Sequence, residues 1–426
     1  MRGRQVFMDS LVAHGVTRIF GNPGTTESPL LDSLADYPSI QYVTALQESI
    51  ALCAASYYAQ ASGNTGIVSL HVAPGLGNAI GMLYGALRAG SPMIVTAGQQ
   101  DTRLRLNNPV LGHDLVAMAA PVTKWAVQVE RADEMAPILR RAFKVAHDGP
   151  PGPVFVGLPI DVMEQETSLA AATPATLHRA PLPAPAAIEQ LAGLMMTAKR
   201  PVLVAGDDVA RGGANDALVR LAETLGASVW TEGLKLHCSF PTAHPSARHG
   251  LPLDAGAIQQ AFGDSDLVIL VGGPFFEDVW YASDGPFPDD AQVIHIEASP
   301  DRLAHSIAPT AGLVGDIAAA TAALADTVDA QALNSFKGEA SARNAALAER
   351  KAKEIAVQQA RTERAWDREP ISMPRVMAEI RDALPDNAII VDETITASLD
   401  LARTIDFAKP GDYYGARGGG IGQGIA

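Results

Sequence analysis

A chain of 426 residues has room for about three domains at roughly 100–200 residues each. Apolar residues make up 47% of it and charged residues 19%, which supports a large buried core and excludes a disordered chain. Lys and Arg total 32 against 47 Asp and Glu, a net charge of −15. That balance excludes a broad nucleic-acid-binding face, but not a diphosphate held by one helix N-terminus or one metal ion.

Two cysteines, Cys53 and Cys238, form no CxxC-type pair, and such sparse usage points to a reducing, cytoplasmic setting. The opening stretch MRGRQVFMDSLVAHG lacks the apolar segment of a secretory signal. No apolar run reaches the roughly 18 residues that a membrane span needs.

The first segment, 1–166, alternates short apolar runs with helical patterns. Strands are predicted at VTRIF (16–20), QYVTAL (41–46), TGIVSLHV (65–72), PMIVTAG (92–98) and PGPVFVGLPID (151–161). ESIALCAASYYAQASG (48–63) has helical spacing at Ile50, Cys53, Ala54 and Tyr57, and APGLGN (73–78) reads as a loop before another helix. Such alternation predicts an α/β fold, a doubly wound parallel sheet with helices on both faces. Residues 167–187, rich in Ala and Pro, read as a linker.

A second α/β domain is expected over 188–335, with strands at 201–206, 227–230, 267–273 and 291–299. Residues 336–369 read as a charged helical connector. From 370 a further unit begins with a helix, the strand AIIVDET and a glycine cluster. The expected architecture is two complete domains plus the start of a third over 370–426. A single helix and one clear strand make no core, so the polypeptide is expected to continue past Ala426.

Glu48 falls where a strand hands over to a helix, the sheet edge at which ligands bind. Such a carboxylate is either a helix-terminal charge or a catalytic acid/base. Thr25 follows the sharp turn Gly21–Gly24, and His71 follows another strand. At successive strand ends of a doubly wound sheet, one glutamate, one histidine and one hydroxyl make a proton-transfer site. The glycines at 75–81 and 418–424 miss the GxGxxG spacing of dinucleotide sites, and no Walker A motif occurs.

GNPGTTE (21–27), LQE (46–48), SLHVAPGLGNAIG (69–81) and SPMIVTAGQQ (91–100) resemble the pyrimidine-binding domain of thiamine-diphosphate enzymes. VDETITAS (391–398) and YYGARGGGIGQG (413–424) resemble the start of the diphosphate-binding domain. Among those enzymes the chain is most similar to the benzoylformate decarboxylase group of 2-oxo acid decarboxylases.

The resemblance implies that Glu48 hydrogen-bonds the aminopyrimidine N1′ of thiamine diphosphate. It implies that Ile421 is the apolar wedge that bends the cofactor, and that Gly419 offers its carbonyl to the 4′-amino group. Thr25 and His71 match substrate-contacting positions, and Thr394 and Ser398 match hydroxyls near the diphosphate. It further implies a homodimer or homotetramer in which Glu48 of one subunit faces Ile421 and Gly419 of another.

Two departures from the pattern stand out. The aryl decarboxylases carry a second active-site histidine after the paired glycines of the central domain, whereas residues 272–281 here contain none. His295 reads as structural, and Phe275, Phe276 and Trp280 either line a pocket or fill a core. The family's Mg²⁺ is held through a Gly-Asp-Gly motif that is absent here. His147-Asp148-Gly149 and Ser283-Asp284-Gly285 are incomplete, so no metal ligand is assigned and the ligands are expected beyond Ala426.

The implied activity is non-oxidative decarboxylation of a small 2-oxo acid to an aldehyde, with carboligation as a side reaction. The alternatives are an acetolactate-synthase-like carboligase or acyl-CoA lyase with a flavin or nucleotide on its central domain, or a truncated non-catalytic binding or regulatory protein.

Overall fold

Strands Gly66–Leu70 (β3) and Met93–Gln99 (β4) are buried at every position, as strands covered on both faces must be. The computed structural model describes all residues except 178–180, 278, 282, 284 and 426. The chain divides into two units, Met1–Arg179 with Ala416–Ala426, and Ala180–Gly415.

In the first unit β3 and β4 join Arg18–Gly21 (β1), Gln41–Thr44 (β2), Trp125–Gln128 (β5) and Pro153–Pro159 (β6). The sheet order is β2-β1-β3-β4-β6-β5, and every pairing is parallel. Helices Gly3–Ala13 and Met135–His147 contribute Val6, Phe7, Leu11, Leu139 and Phe143 to one core. Helices Glu48–Ser62 and Val72–Arg88 contribute Leu52, Leu76 and Leu83 to another. Two separate cores on one sheet are the doubly wound arrangement the alternation predicts.

Two local expectations need correction. The stretch 73–78 is not a loop, because the helix already starts at Val72. Pro74 stands in its first turn, where a missing N–H leaves no bond unmade. Helix Glu48–Ser62 packs through Ala51, Leu52, Cys53, Ala55 and Ala59, whereas Ile50 is 47% exposed. Small residues on that face let the helix lie close on the sheet.

The second unit carries Pro201–Ala205 (β7), Ser228–Thr231 (β8), Ala247–Gly250 (β9), Leu267–Val271 (β10), Gln292–Glu297 (β11) and Ala311–Val314 (β12). They form a parallel sheet in the order β12-β11-β10-β7-β8-β9. Helices Pro185–Thr197, Asn215–Leu225 and Ile317–Gln331 cover one face, and Ala255–Phe262 lies on the other. The first of these starts inside the Ala- and Pro-rich stretch, with Pro185 at the helix-opening position it favours.

Helix Asn334–Arg364 is 31 residues long and buries only Phe336 and Ala340, so its outer length is a charged, solvated rod. Beyond it, helix Met373–Ala383 and the paired strands Ile390–Asp392 (β13) and Tyr413–Gly415 (β14) also pack in the second unit. Met377, Leu401, Phe407 and Tyr413 form a small core there around Cys238. Burial pushes the Cys238 thiol up to about 11, from an ordinary value of 9.0. The thiol therefore stays protonated in the folded chain while an exposed one ionises. Its contribution to stability is complete below pH 9.0 and is lost as the pH rises toward about 11. The expected result is no reaction of Cys238 with a thiol-disulfide reagent at pH 8, and reaction only on unfolding. Prompt native-state labelling would contradict it.

Among the described residues no helix is long and apolar enough to cross a membrane.

Candidate active site

In the first unit the chain turns from β1 to β2 on one side and from β3 onward on the other. The point where strand order reverses therefore lies between β1 and β3. At such a point the loops beyond the strand C-termini part and leave a crevice. Three chain segments lead into this one. After β1 comes the turn Asn22-Pro23-Gly24 and the short 3₁₀ turn Thr25–Glu27. After β2, the Gln47 side chain caps the next helix by accepting from the N–H groups of Ser49 and Ile50, which sets Glu48 in the first helical turn. After β3, His71 is the N-cap of the following helix and Val72 takes φ +40°. A β-branched residue there is a strained outlier of the kind that gathers at functional sites.

Glu48 is 8% exposed. Its Oε1 accepts a hydrogen bond from Asn22 Nδ2 at 3.2 Å, and its Oε2 accepts one from Asn78 Nδ2 at 3.0 Å. His71 lies in a second, separate set of bonds. Its Nδ1 is 2.8 Å from Glu27 Oε2 and 3.3 Å from Thr26 Oγ1, and its side chain is 26% exposed. Glu27 is nearly inaccessible and also accepts from the backbone N–H of Gly24 (2.8 Å) and Gly98 (2.9 Å) and from Thr26 Oγ1 (2.7 Å). A buried carboxylate requires such a donor set. Burial, with the charge of Glu27 as a lesser contribution, pushes the nearby Tyr42 phenol up to about 12.

Gly24 makes room for the imidazole. A Cβ there would fall 2.3–2.5 Å from Nδ1, Cγ and Cε1 of His71. Gly24→Ala is expected to displace the ring by about an ångström and lower turnover roughly 100-fold with the fold retained. Steady-state kinetics beside circular dichroism will check this; unchanged turnover would mean that the ring position is not critical.

The predicted residues fall in different surroundings. Glu48 and His71 share the crevice. Thr25 is exposed, and the hydroxyl that reaches His71 is that of its neighbour Thr26. Gly419 (φ +73°) and Ile421 belong to the first unit, in a segment that packs Gly418 on Gly85, and Ile421 is 91% exposed. Thr394 and Ser398 follow β13 in the second unit. The Thr394 N–H and hydroxyl donate to Asp392 Oδ1 at 2.8 and 2.7 Å, and the Ser398 hydroxyl donates to the Thr394 carbonyl. Glu27, Thr26, Asn22 and Asn78 were not singled out in the sequence. All four lie inside the quoted motifs, but nothing in the sequence says which way they face.

The other candidates are packing residues or lie elsewhere. Phe275 is buried edge-on against His295, and Phe276 packs on Phe287. His295 Nε2 is 3.1 Å from Glu297 Oε1 inside β11 and its rim, while Trp280 is 68% exposed. Asp278, Asp284 and Ala426 lie outside the described residues.

The second unit has its own strand-order reversal, between β7 and β10. There a Cβ on Gly206 would meet the Gly272 carbonyl oxygen at 2.1 Å, so the two loops touch. Arg302 bonds Asp208 at 2.5 Å and lies 3.7 Å from Glu297, while Arg211 bonds Asp208 at 2.8 Å. Asp208 of that rim is thus paired with two of the chain's own cations.

The residues around Glu48 fit the aminopyrimidine half of thiamine diphosphate. A carboxylate with one donor on each oxygen retains lone pairs for a ring N–H. The Gly-Asp-Gly motif of the Mg²⁺ site that the resemblance calls for does not occur in the sequence, and the described residues offer no substitute cluster. Among them no group of three or more His, Cys, Asp or Glu side chains could hold a metal ion.

Family models described as "Thiamine pyrophosphate enzyme, N-terminal TPP binding domain" and "Thiamine pyrophosphate enzyme, central domain" match residues 1–118 and 188–324. The benzoylformate decarboxylase of Pseudomonas aeruginosa is 31% identical over 417 residues, covering 97% of this chain and 74% of that protein. An acetolactate synthase large subunit of Corynebacterium glutamicum is 30% identical over 339 residues, covering 78% of this chain and 53% of that protein. The crystal structure of benzoylformate decarboxylase from Polynucleobacter necessarius superposes with a TM-score of 0.85 at 25% identity, over 99% of this chain and 76% of that one. The chain thus spans about three quarters of its decarboxylase relatives and about half of the acetolactate synthase. With both family models matched and a relative 31% identical along three quarters of its length, the chain belongs to the thiamine pyrophosphate enzymes.

Proposed function

We propose that this chain catalyses the non-oxidative decarboxylation of a small 2-oxo acid to an aldehyde, in the manner of the benzoylformate decarboxylases. The observation that carries the reading is the pairing of Glu48 with the His71–Glu27 couple at one strand-order reversal. Thiamine diphosphate, when bound, supplies the nucleophilic carbon and the electron sink that decarboxylation needs. Glu48 holds a proton at N1′ of the pyrimidine. Glu27 accepts from Nδ1–H of His71, which fixes the tautomer and leaves Nε2 to move a proton at the substrate oxygen or carboxylate. Thr26 adds a hydroxyl on the Nδ1 side of the ring, and the exposed Thr25 is proposed to present its hydroxyl to the substrate. Thr394 and Ser398 are proposed to approach the diphosphate.

A second copy of the chain completes the site in this reading, with Ile421 and Gly419 of one copy facing Glu48 of the other. The exposure of Ile421 (91%) leaves its side chain open to a second chain, as this reading requires. The test is to supply thiamine diphosphate, Mg²⁺ and a panel of aryl and alkyl 2-oxo acids, then measure CO₂, aldehyde and acetolactate. Aldehyde as the main product from a dimer or larger assembly is expected. Acetolactate as the main product, or activity in a monomer, would overturn the reading.

A further inference from the structure

Glu48 does not stand free at the end of its helix. Asn22, from the turn after β1, and Asn78, from the helix after β3, each direct a carboxamide nitrogen at a different oxygen of it. The three residues come from three chain segments, so the contact is tertiary and not a capping pattern of one helix. Asn78 is itself tied back, since its carbonyl accepts the Ser49 hydroxyl at 2.6 Å, beside the residue it holds. Gln47 occupies the capping role at the same helix, which leaves the Glu48 carboxylate to these two amides.

We infer that Asn22 and Asn78 are positioning residues that clamp the Glu48 carboxylate from two sides and so fix the direction of its remaining lone pairs. A terminal carboxylate torsion is soft, with broad minima. One donor on each oxygen removes that freedom before any ligand arrives, and an acceptor already aimed costs less ordering when a ring N–H reaches it. The residue the clamp serves rests on the functional reading above; the clamp itself is a property of the chain.

Two measurements on the full chain separate these. The first needs no cofactor: the infrared difference spectrum between the chain and Glu48→Gln isolates the carboxylate bands of Glu48. In Asn22→Ala and Asn78→Ala those bands are expected to shift and broaden, with circular dichroism unchanged. Bands that stay in place would overturn the clamp. The second compares, with Mg²⁺ present, the binding of thiamine diphosphate and of a pyridyl analogue lacking N1′. Each substitution is expected to weaken thiamine diphosphate binding about fivefold, the worth of one hydrogen bond, and to leave the analogue unaffected. Equal weakening of both ligands would make the asparagines scaffold residues and overturn their positioning role. If Glu48→Gln fails to remove the preference for N1′, or if the chain binds no thiamine diphosphate, the functional reading of Glu48 falls, and the infrared bands alone decide the clamp.

Discussion

If the proposed function holds, Glu48→Gln is expected to lower turnover of the 2-oxo acid by about 10²–10⁴-fold, the usual worth of a positioned acid/base. The substitution is nearly isosteric, and it keeps one oxygen to accept from either Asn22 or Asn78. The other asparagine then faces an NH₂ group, a loss of about 1.5–3 kcal/mol of stability for one hydrogen bond to a charged group. The fold survives while the ability to hold a proton at N1′ is gone. The readout is kcat from aldehyde formation, beside thermal unfolding. A variant with nearly unchanged kcat would take Glu48 out of the mechanism, because an amide cannot exchange that proton.

Glu27→Ala has the larger structural consequence. Its carboxylate accepts from two backbone N–H groups, one hydroxyl and one imidazole; on truncation the two N–H groups gain no new acceptor, and Thr26 and His71, 3.3 Å apart, are left only each other. Leaving such a buried set unpaired costs about 3–5 kcal/mol. Glu27→Gln does little better. Whichever end its NH₂ occupies, it opposes the N–H of Gly24 or that of Gly98. The expected result is a lower urea midpoint for both variants, and turnover lost in step with the displaced His71. A stability loss under about 1 kcal/mol with turnover intact would show that His71 needs no anchor.

Much of this layout is legible in the residues, and the exceptions have a common cause. Central strands such as β3, β4 and β10 read as strands because burial on both faces demands unbroken apolar runs. The edge strands β5, β9 and β12 are only partly buried, and runs such as Ala-Arg-His-Gly at 247–250 carry no such demand. Glu48 and His71 are visible because they stand at strand ends. Glu27 is not, since its partners come from positions 24, 26, 71 and 98, and only the closed sheet brings them together. The helix starting at Val72 is hidden by Pro74 and two glycines, which signal a loop in isolation and are tolerated in a buried first turn.

The bond from the Gly98 N–H to Glu27 ties the end of β4 to the segment after β1, while His71 ties in the end of β3. Three strand ends therefore meet on one side chain. For anyone redesigning this enzyme toward other substrates, that junction divides the crevice into two regions of unequal tolerance. Changes at exposed Thr25 can vary the shape of the mouth while the sheet edge stays closed. Changes at Glu27 alter the frame on which every variant must be built, so libraries should hold it constant and spend their diversity at the mouth.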